Sequence, residues 1–291
     1  MTGIRLGRET VRTALCGFFA AILAAQTSPT LPAGAPPAMT PDPNMPRPIA
    51  AYDSVFIEEL TWLEVRDAMR AGRRTVIIAT GGVEQNGPYL ATGKHNYILR
   101  AMTEAIARKL GNALVAPIVP FVPEGDIDPP TAHMRYPGSI SVSEDTYRRL
   151  VRDIASSMKT HGFEHIILIG DSGGNQAGLK AVSEELSVQW AGAKTRIHHI
   201  PEFYDYPGLT AYLETLGIRQ KDEGFHDDVG ISSLMMTVDP NAVRMTQRKA
   251  AGKFSINGVN LDNGVEIGRK AVEFRANKTV AAIRKAVEKR P

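Results

Sequence analysis

A chain of 291 residues, 43% hydrophobic and 22% charged, can bury one substantial core but not two large ones. Its net charge of +3 comes with no basic block, which leaves nucleic-acid and membrane-surface binding without support. A lone cysteine, Cys16, excludes a disulfide framework.

The chain opens on Arg5, Arg8 and Arg12, followed by the apolar run Ala14 to Ala25. That run is too short to span a bilayer comfortably. Small residues Ala24 and Ala25 close it, and polar Gln26-Thr27-Ser28 follow. This is the order of a secretory signal peptide. It predicts an exported protein, periplasmic or secreted, with no membrane attachment after processing and a mature start near Gln26. An uncleaved amphipathic anchor is the alternative. Cys16 lies inside the leader and follows Leu15, which is too large for lipid attachment, so the mature chain carries no thiol. Residues 26–50 are rich in Pro, Ala, Thr and Ser; they cannot bury enough surface to offset their ordering entropy and read as a disordered linker. A single domain is expected over residues 51–291.

Within that domain, helical and strand patterns alternate. Thr61-Trp62-Leu63-Glu64 is a capping box opening a helix that stops near Gly72. Thr75 to Thr80 is an apolar strand. A polar loop follows, then a helix with Ile98, Met102, Ala105, Ile106 and Leu110 at helical spacing. Ala113 to Val122 is β-like but broken by Pro117 and Pro120. Glu124 to Arg135 is a long loop, and Ser139 to Val142 a short strand. Ser143 caps the next helix, with Glu144 and Asp145 in its first turn and His161-Gly162 at its end. His165 to Ile169 is a strand and Gly170 to Asn175 a second strand-to-helix loop. A helix burying Leu179, Val182, Leu186 and Trp190 leads to the strand Thr195 to Ile200. Helices from Tyr206, from Gly230 and at the C-terminus complete the chain. This alternation predicts an α/β protein with a mostly parallel sheet covered on both faces by helices.

Three loops carry chemistry. The first, Gly81 to Asn96, holds Glu84, Asn86 and His95 at the carboxyl end of a buried strand, where ligands bind in open α/β sheets; these side chains suit a divalent metal, or they face solvent in a Gly-Pro turn. The second, Gly170-Asp171-Ser172-Gly173-Gly174-Asn175, spells the nucleophile segment of trypsin-like proteases, and Thr131-Ala132-His133 resembles their histidine segment. Those enzymes are all-β, and His133 lies only 39 residues before Ser172, so the match fails on context. Ser172 with His226 as base would still fit an esterase-like site; the alternative is a Gly-rich turn with Asp171 as a cap. The third, His226-Asp227-Asp228, offers ligands or an acid/base pair, or else Asp228 is simply a helix N-cap. His198 and His199 alternate faces on a strand and read as structural.

Together these segments resemble the creatininase (creatinine amidohydrolase) family. Ser54 to Trp62 is similar to its opening segment, and Gly82-Val83-Glu84-Gln85-Asn86-Gly87-Pro88 to its Gly-x-x-Glu-Gln-His-Gly-Pro. Tyr136-Pro137-Gly138-Ser139-Ile140-Ser141, His161-Gly162-Phe163 and Gly173-Gly174-Asn175 follow in family order, and the resemblance ends near Pro240. It implies a three-layer α/β/α fold, a small polar amide-type substrate, a metal-dependent C–N hydrolase and a homo-oligomer. The family's two-metal ligand set is altered: Glu84 is kept and His226 is kept, but Asn86, His95, Ser172 and Val229 stand at ligand positions. An imidazole does not bridge two ions as a carboxylate does.

The expectation is therefore a single divalent ion (Zn, Mn or Fe) on Glu84, His95 and His226. Asp171, Ser172 and Asp228 are the candidate catalytic groups, and Asn86, Tyr89 and Asn175 the candidate substrate contacts. The product is a hydrolase of a small amide or lactam, an amidohydrolase. A non-catalytic small-molecule binding protein on the same scaffold and a serine-nucleophile hydrolase using Ser172 are the competing readings.

Overall fold

The computed structural model describes residues 41–219, 226–252 and 261–288. The expected leader with Cys16, and the linker up to residue 40, lie outside the described residues. Contacts divide the chain into Met1–Pro46 and Arg47–Pro291. In the first unit a turn bonds the Met45 N–H to the Asp42 carbonyl at 3.1 Å.

The second unit builds its elements largely where hydrophobic periodicity places them. Thr61 closes a capping box with Glu64 and opens α1 (Trp62–Arg70). Strand β1 (Thr75–Thr80) is buried throughout. Helix α2 (Lys94–Leu110) ends on Gly111, whose φ of 79° is the left-handed stop that glycine adopts freely. Strand β2 is only Ala113–Val115: the prolines that follow cannot donate to a ladder, and the rest of the segment makes isolated bridges from Val119 and Val122. The strand expected at Ser139 to Val142 is likewise reduced to bridges from Ile140 and Ser141. Helix α3 (Glu144–Thr160) starts on Ser143, whose hydroxyl accepts the Thr146 N–H. Then come β3 (His165–Gly170), α4 (Gln176–Gln189), β4 (Arg196–His199), α5 (Tyr206–Thr215), α6 (Val229–Met236), α7 (Met245–Ala250) and α8 (Leu261–Glu288).

The four strands form one parallel sheet in the order β2-β1-β3-β4. Alternate residues of the central strands serve opposite layers. Val76, Ile78, Ile166 and Leu168 pack with α3, α4 and Met69 of α1. Ile77, Ala79, Ile167 and Ile169 pack with α2, α5, α6 and α8. The result is the three-layer α/β/α architecture. Helix α8 lies close enough to α6 that a Cβ on Gly268 would sit 2.0 Å from the Ser233 carbonyl oxygen, so this crossing admits only glycine. Among the described residues no helix is long and apolar enough to cross a membrane.

At the amino end of the sheet the ring nitrogens of His165 and His198 lie 3.4 Å apart, and burial, reinforced by His165 and Arg196, pushes the His198 imidazole down to about 4. His199 bonds Gln176 at 3.2 Å. Gln176 in turn donates to the Gly170 and Ser172 carbonyls at 2.9 and 3.0 Å, so His199 braces the loop after β3 from behind.

Candidate metal centre

The central strands β1 and β3 release their polar loops side by side at the carboxyl edge of the sheet. The first loop is fastened to α2 by Asn96, whose side chain accepts from the Gly82 N–H at 3.3 Å and donates to the Gly82 carbonyl at 3.1 Å. That fastening sets Glu84 against Lys94 and His95, the first two residues of α2. Lys94 Nζ donates to Glu84 Oε1 at 2.8 Å, and His95 Nε2 lies 3.2 Å from the same oxygen. His95 Nδ1 reaches Asp171 Oδ2 at 2.9 Å. Below Asp171, Arg275 of α8 donates to Oδ1 at 3.1 Å, and the Tyr206 hydroxyl donates to the same carboxylate. The Arg275 guanidinium also lies over the Phe203 and Tyr206 rings, 4.8 and 4.7 Å from their centroids. All five charged groups of this row are buried.

Charges alternate along it: Lys94, Glu84, His95, Asp171, Arg275. Burial alone would lower the His95 pKa, but its hydrogen bonds to Asp171 and Glu84 raise it. Burial likewise works to raise Asp171, and His95 with Arg275 holds it below the usual carboxylate range. Glu84 behaves the same way: burial opposes ionisation, and His95 and Lys94 overcome it. Glu124, from the loop after β2, shows the reverse. Burial and the neighbouring Glu84 charge push its carboxyl up to about 9, so it carries a proton at neutral pH.

The second oxygen of Glu84 faces another partner. Glu84 Oε2 is 3.3 Å from His133 Nε2. His133 lies on the short turn Ala132–Arg135, and its ring meets that of His226 with centroids 5.5 Å apart. One ligand atom each from Glu84, His133 and His226 falls within 4.8 Å of the others. Burial lowers the His133 pKa, which favours the neutral ring that a metal requires, and among the described residues its buried Nδ1 has no hydrogen-bond partner. One carboxylate and two imidazoles are a donor set for zinc, manganese or iron. The three open on a cavity of about 710 Å³ whose wall also holds Lys94, Glu124, Ser172, Tyr204 and Asp228.

His226 sits at φ 56°, a strained value for a residue with a side chain. Its neighbours hold it there. Arg248 Nη2 is 3.2 Å from the Asp227 carboxylate, and Arg248 Nη1 donates to the Asp227 carbonyl at 2.6 Å and to Ser232 Oγ at 3.1 Å. Asp228 caps α6, accepting the Ile231 N–H at 2.9 Å.

Of the three expected ligands, Glu84 and His226 stand in this cluster. His95 touches Glu84 but is committed between two carboxylates, and His133 completes the set. Asp171 lies wholly buried beneath His95 and does not line the cavity. Ser172 does line it; its hydroxyl accepts the Gly174 N–H at 3.3 Å, and among the described residues no imidazole bonds to it. Asn86, Tyr89 and Asn175, expected to touch substrate, are absent from the cavity wall. Asn86 donates to the Glu84 carbonyl at 2.9 Å. Asn175 ties the end of β1 through Thr80 and Gly81. Tyr89 packs against the core. Sequence reasoning passed over His133, Glu124, Lys94 and Arg275. A signal for the first two existed: their loop follows β2, so it too leaves the carboxyl edge of the parallel sheet.

Comparison with known proteins shows the family and the fold. The family model described as creatinine amidohydrolase (creatininase) matches residues 58–283. A creatinine amidohydrolase of Pseudomonas putida is 25% identical over 200 residues, covering 65% of this chain and 74% of the relative. A tryptophan-to-alanine variant of creatininase superposes with a TM-score of 0.60 at 21% identity, over 81% of this chain and all of that one. A glutamate-to-glutamine creatininase variant of the zinc–zinc type gives 0.55 at 21% identity, over 81% and 98%.

Proposed function

Since this chain belongs to the creatininase (creatinine amidohydrolase) family, we propose that it is a metal-dependent hydrolase of the C–N bond in a small polar amide or lactam, working with one divalent ion. The observation that carries this reading is the convergence of Glu84, His133 and His226 on one cavity. When bound, a divalent ion supplies Lewis acidity there, polarising an amide carbonyl and making water more acidic. The protein's own part is positioning. Lys94 and His95 fix Glu84, the Asp227–Arg248 pair fixes the His226 loop, and the cavity walls orient a small substrate. Among the described residues the Ser172 hydroxyl has no imidazole partner of the kind that activates a serine nucleophile, which favours the metal over the serine route.

The test is metal content of the purified protein together with hydrolysis of a panel of small amides and lactams, creatinine among them, with and without a chelator. One zinc, manganese or iron per chain and chelator-sensitive turnover are expected. A protein that binds these compounds without turnover, metal-loaded or not, is a binding protein on this scaffold.

We further propose that the protein acts outside the cytoplasm. The order of basic, apolar and small residues over positions 1–25 supports this. N-terminal sequencing of the exported protein should read from near Gln26; a soluble cytoplasmic chain that still begins at Met1 would refute it.

A further inference from the structure

Resting on the single-ion reading above, we propose that Lys94 is a built-in cation that occupies half of Glu84, limiting the site to one divalent ion and weakening the hold on that ion. Glu84 has two oxygens to offer. Oε1 already accepts from Lys94 Nζ at 2.8 Å and contacts His95 Nε2 at 3.2 Å. Oε2 is the oxygen on the His133 side, at 3.3 Å. Asp171, the other carboxylate of the row, is matched by His95, Arg275 and Tyr206. Both carboxylates of the row therefore have a protein cation on them before any metal arrives.

The position of Lys94 argues that its charge serves the site and not the helix. It is the first residue of α2, and the first turn of that helix contains no acidic residue. A positive charge there opposes the helix dipole, which favours carboxylates at a helix start. The side chain is also 3% exposed, and burying an ammonium costs free energy that one ion pair does not reliably restore. Neither helix stability nor burial calls for a lysine. What its ammonium does achieve is to place a fixed positive charge on the carboxylate that a metal would share. Like charges a few ångströms apart repel strongly in a buried site, where salt screens them little.

The consequence has an unusual sign. Truncating a residue that merely supports a metal site weakens binding. Truncating Lys94 removes the competing charge and should tighten it. Zinc titration of the metal-free full-length protein, by calorimetry or against a competing chelator, reads this without any assay of turnover. Lys94→Met and Lys94→Gln should each bind zinc at least about tenfold more tightly than wild type, whereas Lys94→Arg, which keeps the charge, should stay within about threefold. The glutamine variant retains a hydrogen-bond donor for Glu84 and covers the case in which the methionine protein fails to fold.

Stoichiometry is read on wild type, with ions retained by His226→Ala subtracted as bound elsewhere. One ion per chain is expected, and two would overturn the proposal. So would zinc binding that is unchanged or weaker in folded Lys94→Met or Lys94→Gln protein. A wild type that takes no zinc while Lys94→Met takes one defeats the single-ion function yet upholds Lys94 as the competing charge. No zinc in either defeats both.

Discussion

His133→Ala and His226→Ala each lower zinc affinity by more than about 100-fold and abolish amide hydrolysis, while Ser172→Ala keeps most of its turnover. Losing an outer-shell partner costs a metal site roughly 10- to 100-fold; losing one of the three ligands proposed here, Glu84, His133 and His226, should cost more, because binding and water activation would fail together. Ser172 contributes a hydroxyl that bonds its own loop, so in the proposed metal route no step depends on its oxygen. A serine-nucleophile enzyme reverses the order: Ser172→Ala is dead, His133→Ala is active, and chelators do nothing. Metal titration and steady-state kinetics on the three variants separate the outcomes. His133→Ala is the most informative of them, because the sequence alone places His95 in its stead.

The second large effect concerns stability. Asp171→Ala should destabilise the fold by about 3–5 kcal/mol, because it leaves Arg275 and His95 as buried charges without their shared carboxylate. Arg275 is 3% exposed and Asp171 fully buried, so water cannot take over. For a domain of this size such a loss lowers the melting temperature by roughly 6–20 °C. The double variant Asp171→Ala/Arg275→Met should recover a large part of it, since a buried ion pair replaced by apolar groups often costs little. Thermal or urea unfolding of the single and double variants measures both. If Asp171 instead acts on substrate from an otherwise stable position, the single variant melts like wild type and loses only turnover.

The layered fold was legible because its signals are local. The strand Thr75 to Thr80 and the strand His165 to Ile169 are continuous apolar runs, and the Thr61 capping box and the Ser143 cap announce their helices directly. The site was half legible. Glu84 and His226 sit at loop positions whose spacing to neighbouring strands and helices survives in the sequence. His133 does not: its loop is long, and only the folded path around Glu124 and Gly125 brings it to Glu84. His95 falls outside the cluster of candidate ligands for a related reason. Which face of α2 it presents can be inferred, but the two carboxylates that claim both its nitrogens come from β1 and β3 loops that meet only in three dimensions. Arg275 carries no local signal at all, because one arginine on a long amphipathic helix looks like its solvated neighbours. Likewise the Asn86 and Asn175 amides are polar groups in polar loops, and nothing short of the structure shows that they are turned inward to hold backbone.

The placement of Arg275 on the last helix has a consequence for when the site comes into being. Asp171 is made in the middle of the chain and its counter-charge near the end, after all four strands have been synthesised. Until α8 docks, the carboxylate under His95 lacks its arginine and α6 lacks the helix that crosses it at Gly268. The row of buried charges beneath the pocket is thus completed only once the segment that carries Arg275 has been made and docked.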